Sequence, residues 1–147
     1  MTDVNEAFCK ELAELKNACS VLEYSYQKCL KIGVPPGLSN EELESFEALT
    51  SRFARLSDII IQKIFRYIDT LDLEKQGTVR DRINRAEKRG IIDSANDFIE
   101  IRMLRNEISH EYQSETIYAI FEKVKELTPV LLKSVPEILD YSRKYTD

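Results

Sequence analysis

Over two long stretches the chain sets an apolar side chain at every third or fourth position, and that rhythm admits little besides helix. In the first, Phe8, Leu12, Leu15, Cys19, Leu22, Tyr26 and Cys29 trace the seam of a helix packed lengthwise in a bundle. Gly33 with Pro35 and Pro36 closes it, because glycine suits a left-handed cap and proline cannot continue a helix. In the second, Ser39 and Glu42 make a capping-box pattern. Leu43, Phe46, Leu49, Phe53, Leu56, Ile60, Ile64, Tyr67 and Leu71 then keep the same beat. Only four Gly and four Pro occur in 147 residues, too few to furnish the turns of a hairpin-rich fold.

Gly77 and Thr78 interrupt the pattern, and Thr78 with Asp81 marks a new cap. A short basic helix from Val79 to Arg89 stops at Gly90. Ser94 opens another that carries Phe98, Ile101, Leu104 and Ile108. A last one begins near Ser114 with Ile117, Ile120, Phe121, Val124 and Leu127, and Pro129 and Pro136 are expected to bend or divide its continuation. The expectation is an all-α bundle of four or five helices, one domain over residues 1–147.

Composition narrows the function classes. With 43% hydrophobic and 32% charged residues the chain has the make-up of a globular domain. No apolar run approaches the ~20 residues of a membrane span, and no signal peptide opens the chain. Three cysteines, an odd number, argue against an exported disulfide framework, so a cytoplasmic protein is expected. Cys9, Cys19 and Cys29 repeat at ten residues, a spacing that turns each by ~280° and gives them no common face. One histidine, His110, rules out a one-chain metal site built on two imidazoles; no metal and no cofactor are expected. A net charge of −5 is not that of a protein that coats duplex DNA, although a local RNA cleft is compatible with it.

Between Thr78 and Ile92 five basic residues (Arg80, Arg82, Arg85, Lys88, Arg89) face two acidic ones, Asp81 and Glu87. A solvated amphipathic helix and a surface that tracks a phosphate backbone both fit this run. Arg102 on the next helix extends it. Further along lies the most unusual stretch, Arg105-Asn106-Glu107-Ile108-Ser109-His110-Glu111-Tyr112. At ~100° per residue Arg105 shares a face with Phe98, Ile101, Ile108 and Tyr112. A guanidinium inside an apolar stripe is costly unless it is paired or meets a phosphate. Arg102, Asn106 and His110, four apart, form a polar stripe beside it. A snorkelling arginine and a helix-capping histidine would account for the same residues.

Two other chemistries fail here. Glu107-x-x-His110 matches one element of a di-iron bundle, but such sites need a second copy and the chain has no second histidine. Ser109 and His110 are adjacent on a helix, so their side chains diverge and make no triad.

The pattern Arg105-Asn106-x3-His110-x-Tyr112 resembles the Arg-x4-His-x-Tyr signature of HepT-like proteins in the HEPN superfamily. Residues Phe46 to Phe53 and Arg82 to Lys88 are also similar to stretches common in that family, so the likeness spans roughly residues 40 to 112 with no departure from the motif. The resemblance implies a HEPN-like dimeric bundle and a metal-independent toxin-type ribonuclease with Arg105 and His110 as catalytic pair. It also implies a homodimer encoded beside a nucleotidyltransferase antitoxin of the MNT or MntA type, which modifies Tyr112 with AMP.

The chemistry suits these side chains. Without a metal, RNA is cut by activating its own 2′-hydroxyl against the adjacent phosphate, which leaves a cyclic phosphate. An imidazole exchanges protons near neutral pH, so His110 can serve as base or acid. Arg105 can grip two phosphate oxygens, and Asn106 can orient His110 or the phosphate. Arg80, Arg82, Arg85, Lys88, Arg89 and Arg102 are candidate RNA contacts. On an ideal helix Arg105 and His110 point ~140° apart. Either the helix ends near Ser109, or each Arg105 works beside a partner chain's groups, and the single imidazole per chain favours the dimer. The competing reading is a non-catalytic HEPN subunit that binds nucleotide or RNA and docks a nucleotidyltransferase. A third is a structural bundle whose polar stripe fixes dimer register.

Overall fold

The computed structural model describes residues 2–33, 37–110 and 114–146, and every regular element among them is helical. Helix α1 spans Thr2–Leu30 and α2 spans Asn40–Asp58. A π-helical segment, Ile59–Ile64, leads into α3, Phe65–Leu71, and α4 (Val79–Lys88), α5 (Ala95–Ser109) and α6 (Ser114–Thr146) follow. The α2–π–α3 rod lies between α1 and α5, α6 closes the ring on the other side, and α4 bridges α3 and α5. The buried apolar residues form one cluster, with Phe46, Phe53, Phe65, Phe98 and Phe121 among its largest members.

Both expected capping boxes form. Glu42 N–H donates to Ser39 Oγ at 3.2 Å while Ser39 N–H donates to Glu42 Oε1 at 2.9 Å. Thr78 and Asp81 repeat this at 3.1 and 2.9 Å, and these bonds from Thr78 hold the Asp81 carboxyl below the ordinary carboxylate range. Ser94 caps α5 by accepting from Asp97 N–H. At the far end of α4, Gly90 takes φ +76°, and the N–H groups of Gly90 and Ile91 return to the carbonyls of Glu87 and Ala86, both at 3.0 Å. Glycine bears that left-handed conformation without penalty.

Three expectations need correction. In α1, Cys19 and Tyr26 are only half-buried, and Ala18 and Ser25 occupy the seam between Leu15, Leu22 and Cys29. Small side chains carry little hydrophobic signal yet let α2 approach, and Arg52 of α2 donates to Ser25 Oγ at 2.8 Å and to the Val21 carbonyl at 3.1 Å. The three cysteines are free and share no face: Cys9 is exposed, Cys19 intermediate, Cys29 buried. Pro129 and Pro136 do not divide the last helix, which is unbroken from Ser114 to Thr146. Both prolines sit on its exposed side, where a missing backbone bond is cheapest. The second rod reaches Leu71 as expected but not as one α-helix. Phe65 N–H bonds back to Ile60, five residues earlier, and Ile59, Ile60 and Ile61 are all buried.

Candidate functional site

Asp58 is the last residue of α2, immediately before the π segment, and it meets Arg105 of α5 across 47 positions of sequence. Arg105 Nε and Nη2 donate to the two carboxylate oxygens of Asp58, each at 2.8 Å, a two-pronged match of fork to carboxylate. Arg105 Nη1 donates to Ser109 Oγ one turn on. The side chain keeps 28% of its surface exposed, and the Asp58 contact lifts its pKa further above an already high value. The guanidinium in the apolar stripe is thus paired.

Arg105 also borders an open cleft where α1, α2 and the π segment meet α5. Its polar lining is completed by Glu11, Glu14, Ser51, Arg55, Asp58 and Lys63, with Ala54 and Ile59 between them. Arg55 pairs with Glu14 at 3.0 Å and Lys63 with Glu11 at 3.6 Å. Arg55, Glu14 and Lys63 are more than half exposed, so these two pairs contribute ~0–1 kcal/mol each. They serve chiefly to balance the charge of the cleft wall.

Of the two routes that relieve the angular separation of Arg105 and His110, the chain itself takes the first: α5 ends at Ser109. His110 caps it in extended backbone (φ −90°, ψ 152°), its N–H bonded to the Glu107 carbonyl at 3.2 Å. The imidazole and the Asn106 amide are exposed, and neither is hydrogen-bonded to another described residue. Arg105 is therefore tied to the cleft wall, while Asn106 and His110 stand in solvent at the helix end. Tyr112 lies outside the described residues.

No family model, curated protein or solved structure matches the chain. Its chemistry rests on its own side chains.

The basic run does not form one open surface. Arg80 and Lys88 are exposed, but Arg82 is 9% exposed and Arg102 half-buried. Arg85 and Arg89 turn inward onto Asp69 at 3.0 and 2.7 Å, and Arg89 also holds Asp72 at 2.9 Å. Asp72 in turn accepts from Tyr141 Oη at 2.6 Å, which fastens the end of α6 to α3. Among the described residues no group of three or more His, Cys, Asp or Glu could hold a metal ion. No helix among them is long and apolar enough to cross a membrane.

Asp58 and Asp69 are the residues that sequence reasoning missed. Each left a trace. Asp58 directly precedes the run Ile59-Ile60-Ile61, and Asp69 follows Ile68 four residues after Phe65, on the core side of its helix. A carboxylate in such company requires a cation, and the chain held several for each.

Proposed function

We propose that this chain is a metal-independent endoribonuclease of the HEPN type. It is the toxin of a toxin–antitoxin pair, works as a symmetric homodimer, and is silenced by a MntA-type nucleotidyltransferase that transfers AMP to Tyr112. The observation that carries the reading is the arrangement at the end of α5. Arg105 is held at the edge of an open cleft, and His110 leaves the helix with an exposed imidazole five residues later.

Arg105 has five N–H donors. Two engage Asp58 and one engages Ser109, so one remains on Nη1 and one on Nη2 for a substrate phosphate. Asp58 thereby orients the guanidinium and leaves it able to bind. In the proposed step one imidazole takes the 2′-hydroxyl proton of RNA and the freed oxygen attacks the neighbouring phosphorus. The 5′-oxygen then leaves with a proton from a second imidazole, the His110 of the other protomer, and a 2′,3′-cyclic phosphate remains. Arg105 holds the charge that gathers on the non-bridging oxygens.

The Asp58 pair also favours a second reading, the non-catalytic subunit that docks a nucleotidyltransferase, because a guanidinium so held already has a structural purpose. Induced expression in a bacterial host distinguishes the two. Wild type arrests growth and His110→Ala does not. Arrest by both, or by neither, removes the ribonuclease reading. Incubation with the nucleotidyltransferase, ATP and Mg²⁺ tests the regulation: intact-mass spectrometry should show added AMP on wild type and none on Tyr112→Phe. Modification mapped to Tyr118, Tyr141 or Tyr145 ends the proposal at Tyr112.

A further inference from the structure

Where α4 packs on both α3 and α5, the charges of Arg66 of α3 and Arg102 of α5 both bear on Arg82 of α4, with Arg66 exposed and Arg102 half-buried. Arg82 is 9% exposed, and its Nη1 is fully buried with no hydrogen-bond partner among the described residues. The same holds for Nη1 of Arg102. Two buried cationic N–H groups without acceptors are an expensive arrangement, since a lone donor forfeits its hydration and gains nothing. The nearby carboxylate does not answer the need, because Asp69 already clamps Arg85 and Arg89. Burial and then the charge of Arg66 push the Arg82 pKa down, and Arg102 and Arg85 add to the repulsion against Asp69 alone. A structural purpose would be met better by an apolar side chain of like size.

We propose that Arg66, Arg82 and Arg102 form a binding site for a phosphate monoester, either free phosphate or the terminal phosphate of a nucleotide. A tetrahedral dianion brings enough charge and enough acceptor oxygens for three guanidinium groups. The burial of Arg82 selects the ligand's shape. A terminal group can enter the corner with its oxygens leading, whereas a phosphodiester inside a strand is flanked by two sugars and cannot. The site uses neither Arg105 nor His110 and holds whether or not the chain cuts RNA.

Thermal unfolding followed by circular dichroism tests this with inorganic phosphate, 5′-AMP and the dinucleotide ApA, whose one phosphate is internal. Sodium chloride at matched ionic strength is the baseline. Wild type should melt about 5 °C higher at a phosphate concentration roughly ten times the dissociation constant, along a saturating curve. AMP should shift it likewise and ApA should not. A larger AMP shift identifies a nucleotide's terminal phosphate as the ligand, and equal shifts identify free phosphate. The general salting effect of phosphate rises without saturation and survives mutation, so variants isolate the site. Arg102→Gln, at a half-buried position, should fold and lose the saturable shift, and Arg82→Met should lose it without melting lower in chloride. A wild-type curve equal to the chloride baseline, an undiminished shift in Arg102→Gln, or an ApA shift as large as AMP's overturns the site.

Discussion

Replacing His110 with alanine should slow cleavage of RNA in excess chelator by about 10²–10⁴-fold, the usual worth of a positioned acid or base. It should leave the melting temperature unchanged. The imidazole is exposed and unbonded to other described side chains, so its loss falls among surface substitutions that shift stability by less than about 0.5 kcal/mol. That separation of activity from stability makes His110 the cleaner probe of the pair. Arg105→Ala is expected to cost about 10²–10³ in rate, as removal of a charge-stabilising donor does. It also destabilises by about 1–2 kcal/mol, because Asp58 loses a two-pronged partner. Asp58→Asn divides the roles: it frees the guanidinium from its anchor yet leaves every donor, so it should slow cleavage less than Arg105→Ala does. Gel analysis of total RNA with each variant, alongside urea unfolding, reads both quantities. Full activity in His110→Ala eliminates the mechanism.

Asp69→Ala should cost about 3–5 kcal/mol of stability, the expected result of breaking a buried charge pair from one side. Asp69 is 6% exposed and receives Arg85 and Arg89 at 3.0 and 2.7 Å. Its removal leaves Arg89 with Asp72 alone and Arg85 with only the longer Glu74 contact, and it takes from the buried Arg82 its one attractive neighbour. Against a typical total of about 5–15 kcal/mol this is a major fraction, and the melting temperature should fall by roughly 10 °C. Glu74 touches Arg85 at 3.6 Å with 46% of its side chain exposed. Glu74→Ala should therefore stay within about 0.5 kcal/mol of wild type and serves as the control. A midpoint for Asp69→Ala within 1 kcal/mol of wild type would show that the network is dispensable.

What could be read in the sequence depended on how many neighbours each feature needs. The capping boxes at Ser39 and Thr78 and the glycine stop at Gly90 are settled within four residues, and all three formed as written. The long rods follow from apolar spacing, which repeats often enough to survive an occasional exception such as Cys19. Pro136 reads locally as a breaker, but Ser134, Val135 and Ile138 are buried in the bundle around it and hold the helix through it. The partner of Arg105 was beyond local reading. Its identity depends on how α2 and α5 are turned against each other, and any of 26 acidic residues could have met the need. The basic run stayed open between its two readings for the same reason, since Arg80 and Arg85 look alike until Asp69 is seen beneath one of them.

The π segment has a consequence for how one rod serves two neighbours. Asp58 and Asp69 are eleven positions apart. In an unbroken α-helix that spacing amounts to three turns and about 20°, so both carboxylates would confront the same helix. The wider hydrogen-bonded ring of the π turn takes in one more residue and sets the downstream half back in phase by about 100°. Asp58 consequently addresses α5 and Asp69 addresses α4. A single slipped residue splits one acidic stripe into two independent attachment points, one at the cleft and one at the anchor of the short helix.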